Sequence, residues 1–127
     1  MLAVDTNIVV RYLTTDDPAQ AKRARNLVDG NPVFLPTTVV LESEWVLRGY
    51  RLTREQILAQ LGHFLSLPTV TAENPSRVAR ALAWAEEGMD FADALHLAAA
   101  EDCEAFITFD QPLVKAARSH GVTVRSP

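Results

Sequence analysis

Four carboxylates stand inside or directly after apolar runs. Asp5 follows Leu2-Ala3-Val4, and Glu42 lies between Val39-Val40-Leu41 and Trp45-Val46-Leu47. Asp93 sits within Phe91-Ala92-Asp93-Ala94-Leu95, and Asp110 follows Ala105-Phe106-Ile107-Thr108-Phe109. Apolar neighbours predict burial, and an isolated buried carboxylate is costly unless it is paired, protonated or bound to a cation. One shared, oxygen-rich site for a hard divalent cation accounts for all four at once. Such a site does hydrolytic chemistry, with Glu42 or Asp110 orienting or deprotonating a water. No Ser, Cys or His constellation suggests a covalent intermediate.

Each acid has a simpler reading beside it. The helix predicted around Glu42 also carries Glu44. At about 100° per residue, Glu42 falls between Trp45 and Val46, inside the apolar arc. Glu44 falls toward Arg48 four residues on, which reads as a surface ion pair. The simpler reading of Glu42 is a buried glutamate bonded to backbone or to a distant arginine. Asp90 is placed as a helix N-cap, and Asp93 three residues later is favoured there by the helix dipole whatever its function. Asp93 nevertheless lies in a helix that is apolar nearly all round, so it is read as a ligand and Asp90 as a cap.

Supporting roles fall to Thr6, Asn7, Asp90, His96 and Thr108. Capping of the following turns explains Thr6, Asn7 and Thr108 without function, and orientation of a carboxylate or a water is the functional addition. His96 reads as a residue that steadies a ligand rather than one that binds metal. Arg48, Arg51 and Arg54 could reach a phosphate backbone, whereas Lys22, Arg23 and Arg25 read as a solvated face. Trp45, Trp84 and Phe64 are expected in a core or an interface, and Cys103 as a buried filler. Asp16, Asp17, Asp29, Glu73, Glu86, Glu87, Glu101 and Glu104 read as caps or solvated faces.

The elements that must position these residues alternate. Strands are expected at Leu2 to Asp5, Val33 to Leu35, around Leu67 to Val70, at Ala105 to Thr108 and at Val122 to Val124. Helices are expected from Asn7 to Leu13, from Pro18 toward Gly30, and from Pro36 toward Gly49. Further helices are expected after Thr53, from Pro75 to Glu87, from Phe91 to Ala100 and from Pro112 to His120. Asp-Pro and Asn-Pro pairs and the Thr53/Gln56 capping box mark three of the starts. Short apolar strands between helices imply a short central, mostly parallel sheet in a three-layer α/β/α arrangement. Ligands in such sheets bind beyond the carboxyl ends of the strands. Asp5 and Asp110 both stand at such ends, which predicts one shared sheet edge.

Composition bounds the rest. The chain has 127 residues and is 48% hydrophobic, enough for one domain over residues 1–127 with a real core. A formal net charge of -4 argues against coating nucleic acid by charge alone, but not against touching it at one patch. With one cysteine no intramolecular disulfide can form. The first residues lack a basic region, and no apolar run reaches the roughly 18 residues of a membrane span. A soluble, cytoplasmic protein without a membrane segment is the expectation.

At these motifs the sequence resembles the PIN-domain family, and within it the VapC-type toxins of toxin–antitoxin modules. The matching stretches are Val4-Asp5-Thr6-Asn7, Val40-Leu41-Glu42 with Trp45-Val46-Leu47, Asp90-Phe91-Ala92-Asp93-Ala94, and Thr108-Phe109-Asp110. They run the length of the chain in the family's order. The resemblance implies that Asp5, Glu42, Asp93 and Asp110 form a cluster binding Mg²⁺ or Mn²⁺. It also implies an RNA substrate cut by a metal-dependent endoribonuclease, a homodimer, and a small antitoxin whose basic segment enters the acidic groove.

Other classes fit less well. A receiver-type phosphoacceptor needs paired acids at the first strand's end, where Thr6 follows Asp5. A haloacid-dehalogenase-like phosphatase needs Asp-x-Asp, and the third position here is Asn7. Gly-rich phosphate loops are absent. The remaining alternative is a catalytically silent PIN-like regulatory or nucleic-acid-binding module.

Overall fold

A computed structural model describes residues 1–127 and gives a mixed α/β fold of seven helices and five short strands. The order is β1 (Leu2–Ala3), α1 (Thr6–Leu13), α2 (Pro18–Gly30), β2 (Val33–Leu35), α3 (Thr37–Leu47), α4 (Arg54–Leu65) and β3 (Val70–Ala72). Then follow α5 (Pro75–Glu86), α6 (Phe91–Ala99), β4 (Phe106–Ile107), α7 (Gln111–Arg118) and β5 (Val124–Arg125). All strand pairings are parallel. This is consistent with the expected α/β/α class. The chain divides into two compact units, Met1–Pro75 and Ser76–Pro127.

In the N-terminal unit the sheet order is β1-β2-β3, with Leu2 opposite Val33 and Val33 opposite Val70. β2 is central, and its Val33 and Leu35 are buried with Val9 of α1, Val28 of α2, Val40 and Leu47 of α3, and Phe64 of α4. Local sequence sets the helix starts. Asp17 accepts from the Gln20 N–H at 3.0 Å, and Pro18 opens α2. Thr53 and Gln56 close the predicted capping box on α4. Pro36 supplies no side-chain cap to α3; Glu73, just past β3, accepts the Thr37 N–H at 2.9 Å instead.

In the C-terminal unit β4 and β5 form a separate two-stranded pair. Phe91, Ala94, Leu97 and Ala98 of α6 are buried, as are Val78, Ala81 and Ala85 of α5 and Ala117 of α7. After α5 the chain turns at Gly88, whose φ of 112° only glycine adopts at low cost.

Three expectations are corrected. β1 is not buried: Leu2 and Ala3 are exposed, because a two-residue edge strand is covered on one side only. β4 pairs with β5 and not with β1, β2 or β3, so the strands form two hydrogen-bonded sheets instead of the one expected. Several ends shift: the third strand begins at Val70, the last at Val124, and α7 starts one residue earlier than Pro112.

Candidate active site

In the N-terminal unit, two acids are set by the junction of β1 and α1. Asp5 is the N-cap of α1, its Oδ1 accepting the Asn7 N–H at 3.1 Å. Thr6, 6% exposed, donates its hydroxyl to Glu42 Oε1. That contact joins the start of α1 to α3.

The face α3 turns inward is Val40, Ser43, Glu44 and Leu47, spaced as one helical stripe. Glu42 lies off that stripe and is exposed, as is Trp45 at 69%. This corrects the placing of Glu42 inside a buried arc; Trp45, expected in a core or an interface, is not in the core of this chain. Glu44, 4% exposed, is the buried acid, not a surface one. Arg48 Nε and Nη2 donate to its two oxygens, each at 2.6 Å. A bidentate guanidinium is the partner that makes a buried carboxylate tolerable. The other two basic candidates follow: Arg51 is exposed in the turn after α3, and Arg54 is exposed at the start of α4.

In the C-terminal unit the acids are again helix caps. Asp90 accepts the Asp93 N–H at 3.2 Å and caps α6, as expected. Asp110 caps α7 through the Leu113 N–H at 3.1 Å, and its own N–H donates to Thr108 Oγ1 at 3.0 Å. Asp93 is half-buried and feels its neighbours. Burial pushes its carboxyl above the ordinary range, Asp90 and Asp110 push it further, and His96 opposes them. His96 is exposed one turn beyond Asp93.

The burial expected of the four acids is therefore not what distinguishes them. Asp5, Glu42 and Asp110 are exposed, and only Asp93 is partly covered. The apolar runs mark strand ends and buried helix faces, and the acids stand where the chain leaves them. Cys103 is exposed as well, in a turn among Glu101, Asp102 and Glu104. Each unit thus presents its own acids: Asp5 and Glu42 in the first, and Asp90, Asp93 and Asp110 in the second. Within either unit no three His, Cys, Asp or Glu side chains form a group that could hold a metal ion. In donor type the acids fit a hard cation such as Mg²⁺ or Mn²⁺, being oxygen only.

The PIN domain family matches residues 2–119 of the chain. The protein belongs to the PIN-domain family, a nuclease-type fold whose members generally bind nucleic acid and typically use divalent metal ions. No curated protein matches the chain. No helix is long and apolar enough to cross a membrane.

Proposed function

We propose that this chain is a divalent-metal-dependent endoribonuclease of the VapC type, the toxin of a toxin–antitoxin pair. The carrying observation is the family match over residues 2–119, with Asp5, Glu42, Asp93 and Asp110 at the motifs the family shares. Those four residues are the proposed ligands of Mg²⁺ or Mn²⁺. The cation would supply Lewis-acid stabilisation of charge on the phosphate and lower the pKa of water.

The chain's own groups do the positioning. The Thr6 hydroxyl holds Glu42, which orients or deprotonates the attacking water. Asp5 and Asp110 are steadied by the backbone N–H groups they cap. Arg48, Arg51 and Arg54 hold the phosphate backbone, so activity falls with salt. In the cytoplasm a homodimer would be silenced by an antitoxin placing an Arg or Lys against Asp5, Asp93 and Asp110.

Incubation with RNA and Mn²⁺ tests this. Cleavage should stop in excess EDTA. Asp5→Asn, Glu42→Gln and Asp93→Asn should each lose about 100- to 1,000-fold in rate, the range for losing one preorganised electrostatic contact. Circular dichroism should stay native. Cleavage that persists in EDTA, or in all three variants, would refute the reading. The second reading is the catalytically silent module, a chain that keeps the family's fold without its chemistry. A chain that binds RNA but leaves it intact with Mn²⁺ would support it.

A further inference from the structure

We propose that Glu73 is a positioning residue for Glu42: it clamps the junction between β2 and α3 and so sets where α3 carries that carboxylate. The inference rests on the nuclease reading of Glu42 and adds to it a residue outside the four motif acids. Glu73 stands just past β3 and makes three hydrogen bonds to one junction. Its N–H donates to the carbonyl of Leu35, the last residue of β2, at 2.9 Å. Its Oε1 accepts the N–H of Thr37, the first residue of α3, at 2.9 Å. Its own carbonyl accepts the Thr37 hydroxyl at 3.4 Å. Strand end and helix start are thus held together by a residue 36 positions further along the chain.

The start of α3 supplies no such group itself. Pro36 gives no side-chain cap, and the first turn holds no acid. A helix N-terminus carries unpaired N–H groups and partial positive charge, and a carboxylate answers both. The backbone after the clamp is set against its preference. Asn74, with φ of 49°, is the one non-glycine residue in the left-handed region, and Pro75 follows it. A residue ahead of proline favours extended backbone, so this turn is held at a cost. It is the turn by which the chain leaves β3 with Glu73 on the start of α3. Glu42 lies five residues after Thr37, about 7.5 Å along the helix. It is exposed, and its hydrogen bond comes from Thr6 on α1. A shift of α3 at its first turn is therefore carried to the Thr6–Glu42 contact.

The test compares variants of the intact chain on RNA with Mn²⁺. Glu73→Ala should lower kcat about 10-fold with KM unchanged, as when a ligand loses its outer support. Glu73→Gln keeps an acceptor oxygen at the same reach and should recover most of the rate. Asp17→Ala removes the cap of α2 instead. It should lower the urea midpoint as Glu73→Ala does and leave kcat unchanged. A double-variant cycle of Glu73→Ala with Thr6→Val, read by urea unfolding in EDTA, should be non-additive, because both loosen the hold on one helix. Wild-type kcat in Glu73→Ala, an equal loss of kcat in Asp17→Ala, or additivity in the cycle would each overturn the proposal. Its failure is distinct from that of the nuclease reading. If the wild type and Glu73→Ala cleave alike, positioning falls and the nuclease stands. If the wild type never cleaves, the cycle decides alone: non-additivity keeps Glu73 as the residue that places Glu42, and additivity removes it.

Discussion

Polar groups enter the interior of the N-terminal unit and not that of the C-terminal unit. Thr6, Ser43 and Glu44 are the buried polar and charged residues of the whole chain, and all lie before Pro75. Every buried residue after it is apolar. The three also flank the acids of their unit: Thr6 follows Asp5, and Ser43 and Glu44 follow Glu42. One donates to Glu42, one is locked by Arg48, and Ser43 Oγ is buried without a partner. The C-terminal unit instead fixes Asp90 and Asp110 by backbone caps, and Asp93 is left to feel both. One half thus holds a carboxylate by a buried polar frame; the other gathers its carboxylates at the surface, close enough for Asp93 to feel Asp90 and Asp110.

The comparison can be broken first at Glu44. Breaking a fully buried ion pair costs about 3–5 kcal/mol. Arg48 stays half in water, so Glu44→Gln should cost ~2 kcal/mol, read as a lowered urea midpoint with unchanged slope. Wild-type stability in that variant would mean the pair does not brace α3.

A smaller effect is expected at Thr6. Thr6→Val keeps the shape and removes the hydroxyl that reaches Glu42. RNA cleavage with Mn²⁺ should fall about 10-fold, as when a ligand loses an orienting partner, and Thr6→Ser should restore it. Failure of serine to rescue would point to packing instead of the hydrogen bond.

The smallest effect sharpens the C-terminal half. Asp93 has its pKa raised in the folded chain, which therefore binds that proton more tightly than the unfolded chain does. The resulting stability is present at low pH and is lost as pH rises through the raised folded value. In EDTA, Asp93→Asn should raise Tm slightly at neutral pH, and the gain should vanish below the ordinary carboxylate range. A gain of equal size at every pH would exclude crowded charge as its cause.

What the sequence disclosed follows the range of the forces involved. Helix starts rest on residues within one turn, so Asp17 with Pro18, Thr53 with Gln56, and Asp90 with Phe91 were legible. The orientation of α3 was not. The helix is apolar on most sides, so periodicity does not choose its inner face, and charge alone points Glu44 outward. The pairing of Glu44 with Arg48 was readable, but not that it lets the glutamate go inside. Splitting of the strands into two sheets was hidden because β1, β4 and β5 are only two residues long each and carry little pattern. For Cys103 a signal existed: Glu101, Asp102 and Glu104 around it already favour water.

Asp5, Asp90 and Asp110 each begin a helix, and this bears on how such a chain decays over generations. Asparagine or serine starts a helix about as well as aspartate does. Exchange of one carboxylate oxygen for an amide group at any of the three would therefore leave a chain whose helix starts are intact, with only its charge gone. Selection for the fold alone would let the three positions drift among short polar residues. The fold therefore asks only for a short polar residue at these three positions, and the charge that aspartate adds there is open to a role of its own.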